Sequence, residues 1–141
     1  MDGPGPSGSS IWRPRRLGLL TVNALLAADV VLAPVAAGDE GAAQGLAELR
    51  ATLAKLTRIR STAPALEVIV TKASPRRVMG ELIDDAMTRL GLEIVARVPD
   101  RTAVEQSDVS RTPIAISAPD SAVALAYGVV ADHLERGALI A

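Results

Sequence analysis

Apolar residues along this chain follow two spacings in turn, and the alternation predicts strands separated by helices. Short runs rich in β-branched residues are typical of buried parallel strands. Longer stretches in which apolar residues recur at helical spacing, with charges between them, are typical of helices packed on one side. These two patterns predict strands over 30–35, 66–71 and 93–98, and helices over 17–28, 41–60, 75–90 and 117–137.

Local residues predict where some helices begin and end. Ser or Thr suits an N-cap, Pro suits the first helical position, and Gly suits a C-terminal stop. The predicted signals are Ser74 with Pro75, a capping box from Ser117 to Asp120, and stops at Gly91 and Gly137. Segment 102–110 is predicted as a short helix or an irregular loop. Together the elements predict an α/β fold, a three-layer parallel sheet with flanking helices.

Composition narrows the function classes. The chain has 141 residues, of which 49% are hydrophobic, so one domain with a real core is expected. Trp12 and Tyr127 are the only aromatic residues, which argues against a stacking platform for single-stranded nucleic acid. Cysteine is absent, so disulfides and thiolate metal sites are excluded. The formal net charge of −1 gives no global attraction to nucleic acid.

The first residues differ from the rest in composition. Residues 1–16 are dominated by Gly, Pro and Ser and end in an arginine cluster, so we expect a disordered tail before a domain over 17–141. The arginines followed by an apolar run also resemble a secretory signal. Thr21, Asn23 and Asp29 interrupt that run, and for this reason we expect a cytoplasmic protein without a membrane segment.

Three stretches of the chain resemble the C-terminal half of the ParA/MinD-type partition ATPases, a family of deviant Walker P-loop NTPases. They read LGLLTVNALLAADVVLAPV at 17–35, VIVTKASPRR at 68–77 and VPDRTAVEQSDVSRTPI at 98–114. The resemblance implies an incomplete P-loop NTPase-like fold and a role in plasmid partition or chromosome segregation. Complete family members bind ATP and Mg²⁺ and act with a centromere-binding partner protein.

The phosphate-binding half of that family has no counterpart here. A P-loop needs a Lys that follows glycines, whereas neither Lys55 nor Lys72 follows Gly. Counted back from Leu17, the position of the family's Walker B acid falls on Trp12, which offers no oxygen for a hydrated Mg²⁺. We therefore expect a truncated ParA-like chain without ATPase activity, catalytic residues or cofactor on its own.

The resemblance also assigns candidate binding residues. Those expected near the adenine are Thr71, Pro99, Asp100 and Arg101, and those expected near non-specific DNA are Arg76 and Arg77. Without a nucleotide, the adenine-side candidates are ordinary residues of a strand end and a turn. Without DNA, the two arginines are solvated charges at the start of a helix. His133 is the only histidine, and without other His or Cys ligands it is expected to be a surface residue rather than a metal ligand.

Two other functions stay open from the sequence. A half-sheet leaves an unpaired edge strand, and such edges recruit other strands. The chain is then a non-catalytic interaction module that forms a homodimer or binds a chain carrying the front half of a ParA protein. Weak non-specific DNA binding is a further partner prediction. A receiver-like α/β protein ranks last, because the predicted strands end in Val35, Thr71 and Val98 rather than in acids.

Overall fold

The computed structural model describes residues 18–73 and 77–140, without the side chains of 77–80, 103 and 138–140. The strands are β1 (Val30–Ala36), β2 (Ala65–Ala73) and β3 (Glu93–Pro99). The helices are α1 (Leu19–Ala27), α2 (Ala42–Leu56), α3 (Arg77–Leu90), α4 (Thr102–Ser110), α5 (Ile114–Ser117) and α6 (Ala122–Ile140). The predicted tail over 1–16 lies outside the described residues.

The three strands form one parallel sheet in the order β1-β2-β3. β1 pairs with β2 without interruption, from Val30 opposite Ala65 to Ala36 opposite Thr71. The β2–β3 ladder contains two register shifts, one after Val68 and one after Val70. The α/β class with an all-parallel sheet and flanking helices is therefore confirmed.

Helices cover both faces of the sheet. On one face, α2 and α3 enclose a cluster of Val35, Leu46, Val68, Val70 and Met87. On the other face, α6 encloses a cluster of Ile69, Ala96, Val98, Val123 and Val130. Because neighbouring residues of β2 belong to opposite clusters, its unbroken apolar run is explained by burial on both sides.

The last helix begins and ends differently from the sequence-based expectation. The N–H of Ser117 donates to the carbonyl of Pro113 at 3.0 Å, so Ser117 closes α5 and cannot open α6. The hydroxyl of Ser121 caps α6 instead, by accepting the N–H of Ala124 at 3.1 Å. The helix continues past Gly137 to Ile140, which an exposed glycine permits at a cost of about 1 kcal/mol.

Two further helix predictions were partly wrong. α2 ends at Leu56, where the carbonyl of this residue accepts the N–H groups of Ile59 and Arg60 in a turn. The sequence of α3 predicts an apolar stripe of Val78, Leu82, Ala86 and Leu90, but among the described side chains of this helix Met87 is the buried one and Leu82 is exposed. The predicted stop at Gly91 is confirmed, since its φ of +61° reverses the chain after α3. Ser74 and Pro75 lie outside the described residues.

Candidate functional site

The four adenine-side candidates lie together at the carboxyl end of the sheet. Thr71 is near the end of β2, and Pro99 ends β3 opposite Ala73. Asp100 and Arg101 follow in the connection to α4. The carboxyl end of a parallel sheet is where open α/β proteins bind ligands, so the location is compatible with the resemblance.

Three of these four residues, Thr71, Asp100 and Arg101, donate hydrogen bonds to carbonyl groups of the chain itself. The hydroxyl of Thr71 donates to the carbonyl of Val35 at 3.3 Å. The N–H of Asp100 donates to the carbonyl of Ala73 at 3.2 Å. The guanidinium of Arg101 reaches only the adjacent carbonyl of Asp100, at 3.4 Å. By themselves these residues do not fit a nucleotide, because they offer no cradle for its phosphates.

The structure does not describe the side chains of the two DNA-side candidates. Arg76 lies outside the described residues, and Arg77 begins α3 with a side chain that also lies outside them. Neighbouring Lys72 is exposed and has a φ of +52°, at the second irregularity of the β2–β3 ladder. The exit of β2 is thus distorted, but its relation to any DNA surface stays a prediction.

The outward side of β1 is the longest regular stretch of unpaired backbone that the described residues present. Ala37 donates its N–H to Thr71 at 2.8 Å, and Asp29 accepts the N–H of Ala65 at 3.1 Å. Because backbone groups alternate along a strand, the odd-numbered residues face β2 and the even-numbered residues face away. We call the outward backbone groups of Val30, Leu32, Pro34 and Ala36 the β1 edge.

Pro34 occupies the outward side of this strand. It stands opposite Ile69 in the ladder and is exposed. A proline lacks an N–H, and here the missing group would have pointed away from β2, so the β1–β2 ladder loses no bond. The carbonyl of Ala36 accepts the N–H of Asp39 at 3.0 Å, so the β1 edge offers three N–H groups and three unpaired carbonyls along seven residues.

The apolar residues around the β1 edge are only partly covered. Val35 is the one buried residue of β1, while β2 has three. Leu32 and Pro34 share the face on which α6 packs, yet Leu32 is half-buried and Pro34 is exposed. α6 lies mainly against β3. The strand next to the open edge thus has the thinnest cover in the sheet.

Helix α1, directly before β1, also exposes apolar surface. Its inward residue Leu25 is buried against α2, with Leu53 and Leu56. Leu19 and Leu20 on its other side are 77% and 85% exposed. A helix that is apolar nearly all round is normally buried on all sides, and among the described residues α1 has apolar surface that remains exposed.

Arg60 fixes α1 beside the β1 edge. Its guanidinium donates to the carbonyls of Leu26 and Ala28, the former at 3.1 Å, and pairs with the carboxylate of Asp29 at 3.1 Å. These are the carbonyls that a helix C-terminus leaves without partners, and a cation suits that end of the helix. The open face of α1 is therefore held in place rather than loosely attached.

The opposite edge of the sheet is less regular. β3 carries one of the register shifts, next to Val95, and its exposed Arg97 pairs with Asp84 of α3. Irregular pairing and charged side chains protect an edge strand from further pairing. Of the two edges that the described strands leave, the β1 edge is the more regular, although Pro34 removes one N–H from it.

Sequence reasoning missed one half-buried polar pair. Nε2 of His133 on α6 lies 3.1 Å from Oε1 of Glu67 on β2, and both side chains are largely covered. His133, expected at the surface, is half-buried, and 32% of its side chain stays exposed. Its partner is far away in the sequence, and only the packing of α6 across the sheet brings the two together. Among the described residues no cluster of three or more His, Asp or Glu forms a metal site.

Comparison with known proteins adds no family assignment. No protein-family model matches the chain, and no curated protein matches it. Across the part of the chain that the structure describes, no helix is both long and apolar enough to cross a membrane. The fold therefore assigns the chain to the parallel α/β proteins, with one regular open sheet edge, and to no narrower class.

Proposed function

We propose that this chain is a ParA-like partition protein that lacks the phosphate-binding half and acts as a non-catalytic module, accepting another polypeptide along the β1 edge. The observation that carries the proposal is the β1 edge itself, an uninterrupted strand with unpaired backbone, thin apolar cover and an exposed apolar helix beside it. An unpaired edge of this kind binds a further strand through main-chain hydrogen bonds.

The sequence resemblance supports the identity of the partner. In that family the segment that is missing here precedes the segment that resembles 17–35. A front-half ParA chain would supply both a strand for the β1 edge and a cover for α1. ATP and Mg²⁺ would then belong to the two-chain assembly, in which Thr71, Pro99, Asp100 and Arg101 contribute only the adenine side. A homodimer through the same edge is the second candidate assembly.

Co-purification tests the assembly. The chain is co-expressed with a tagged front half of a ParA relative, and the amount retained is measured for three versions. The unchanged chain is retained. Pro34→Lys is retained less, because it places a charge on the exposed apolar face of the edge. Val109→Lys on α4 is retained like the unchanged chain, since that valine is 87% exposed and lies on another element.

Two results would overturn the proposal. Equal retention of the Pro34→Lys and Val109→Lys variants would show that the β1 edge is not the binding surface. ATP turnover by the purified chain alone, above the level of a preparation made in parallel without it, would show that the chain carries phosphate chemistry of its own.

A further inference from the structure

A cavity between α2 and α3 takes no part in the proposed function. It has a volume of about 290 Å³ and lies where β1 ends and α2 begins. Val35, Ile83, Ala86 and Met87 supply apolar walls, and residues 38–40 form one side of the mouth. An engineered apolar cavity of roughly 150 Å³ binds benzene, so this one has room for an aromatic ring with a short side chain. Met87 adds a thioether, which makes favourable contacts with aromatic rings.

Backbone hydrogen bonds hold the loop from Gly38 to Glu40 in place beside the mouth. The N–H of Asp39 donates to the carbonyl of Ala36 at 3.0 Å, and the carbonyl of Asp39 accepts the N–H of Ala42 at 3.2 Å. Gly38 has a φ of +92°, a conformation that glycine adopts without a steric penalty, so its sequence suits the turn. Because the mouth is already ordered, a ligand does not have to order it on binding.

Two exposed carboxylates, those of Asp39 and Glu40, stand at this mouth. Oδ1 of Asp39 accepts the N–H of Gly41 at 2.9 Å, so this oxygen serves the start of α2. Neither carboxylate takes part in the ion pairs formed among the described side chains. The partial positive charge at the start of a helix offsets only about half of one elementary charge. The two carboxylates therefore favour a cation, and disfavour an anion, beside the apolar walls.

We propose that this cavity binds a small aromatic amine in its protonated form, with the ring against the apolar walls and the ammonium group beside Asp39 and Glu40. The ring supplies the apolar surface that the walls bury, and the ammonium group supplies the positive charge that the mouth favours. Leu82 borders the cavity and is 60% exposed, so a bound ring also covers apolar surface that the described chain leaves open.

This cavity is separate from the surface proposed for strand binding. Val35 lines the cavity, whereas Leu32 packs with the cluster under α6 on the opposite face of the sheet. Pro34 shares the face of Leu32, because side chains alternate along a strand. Failure of one proposal therefore leaves the other standing.

Titration of the isotope-labelled full chain, followed by the amide shifts in NMR, tests the proposal with three probes of similar size. These are phenylethylamine, the neutral phenylethanol and the anionic phenylpropionate, all at neutral pH. The amine should bind about three- to five-fold more tightly than the alcohol, the size of an exposed charge pair, and the anion should bind most weakly. Salt should reduce the advantage of the amine, since exposed charges are screened. The shifted amides should lie in residues 38–43 and 82–87, which border the cavity.

Three variants separate the contributions of the walls and the mouth. Asp39→Asn with Glu40→Gln removes both charges while an amide oxygen remains for the Gly41 N–H. This variant should bind the amine no more tightly than the alcohol, with the affinity for the alcohol unchanged. Ala86→Leu fills part of the cavity and should weaken binding of all three probes. Glu105→Gln with Asp108→Asn on α4 is the matched control and should change no affinity. Circular dichroism establishes that each variant is folded, and the charge variant and the shift map decide the outcome if Ala86→Leu is not.

Each other result overturns the proposal. Equal affinity for the three probes would show that the carboxylates do not select the ligand. Shifts centred on other residues, such as the exposed leucines of α1, would place the ring outside the cavity. An equal loss of amine binding in the α4 control would assign the preference to the general charge of the surface. The absence of any shift at millimolar amine would show that the cavity does not bind this class of compound.

Discussion

Glu67 is the described residue whose half-buried position and partner are hardest to foresee. Its second carboxylate oxygen, Oε2, is buried without a hydrogen-bond partner, and its first is paired with His133. Neighbouring residues of β2 are apolar, so a pattern-based reading places Glu67 as one polar residue in a strand and gives it no partner. The partner depends on the packing of α6, which no local pattern encodes.

The Glu67–His133 pair predicts strong coupling between two substitutions. His133→Ala should lower the free energy of unfolding by about 1–3 kcal/mol, because a covered carboxylate is left without its partner. Glu67→Leu combined with His133→Leu should cost much less, since replacing both members of a largely covered polar pair leaves no polar group without its partner. Urea unfolding of the single and double variants measures the difference. Strictly additive costs would contradict the coupling.

Replacing glycine by alanine should change the stability of the fold in opposite directions at Gly91 and at Gly128. Gly91 has a φ of +61°, so Gly91→Ala should destabilise the fold by about 1–2 kcal/mol. Gly128 lies exposed within α6, and a Cβ added there meets nothing within 4 Å. Gly128→Ala should therefore stabilise the fold by about 0.5–1 kcal/mol. Thermal melts of the two variants check the signs, and a common sign would contradict this account of the turn.

At the scale of elements, the sequence predicts which helices and strands exist better than it predicts where they begin and end. All three strands and the helices α1, α2, α3 and α6 were predicted, because β-branched runs and leucine spacing report burial directly. The start of α6 was wrong because Ser117 and Ser121 both suit an N-cap, and the short α5 takes the first of them. The candidate site was predictable only in outline. An open edge was expected, but the outward placement of Pro34 requires the observed register.

The outward placement of Pro34 predicts that two substitutions act in opposite directions. Pro34→Thr supplies the N–H that the β1 edge lacks and should strengthen binding of a further strand by about 1 kcal/mol, the worth of one hydrogen bond. Pro34→Lys supplies the same N–H with a charge and should weaken binding. Isothermal titration with the front half of a ParA relative measures both. Identical affinities would show that no strand pairs at this position.

At the scale of the whole molecule, the fold is a sheet with uneven cover. Its centre is well packed, with Val68 and Val70 almost fully buried. Its β1 side combines an open edge, exposed Pro34 and the exposed leucines of α1. Burial contributes about 25 cal/mol per Å² of apolar surface, against a total stability of only about 5–15 kcal/mol. The free energy that apolar burial would contribute on the β1 side is therefore large compared with the total stability.

The uneven cover predicts a marginally stable isolated chain. Circular dichroism should show helix, while the thermal transition should be broad and a hydrophobic dye should bind. Co-expression with the front half of a ParA relative should raise solubility and sharpen the transition. A sharp two-state melt at high temperature without dye binding would show that the chain is a self-sufficient domain.

Amide hydrogen exchange along β1 tests the central claim most directly, because it reads the β1 edge residue by residue. In the isolated chain, the outward N–H groups of Leu32 and Ala36 should exchange quickly, while those of Ala33 and Val35, which face β2, should be protected. With a front-half ParA chain bound, Leu32 and Ala36 should become protected as well. Unchanged fast exchange at both residues in a complex that has formed would contradict strand pairing at the β1 edge.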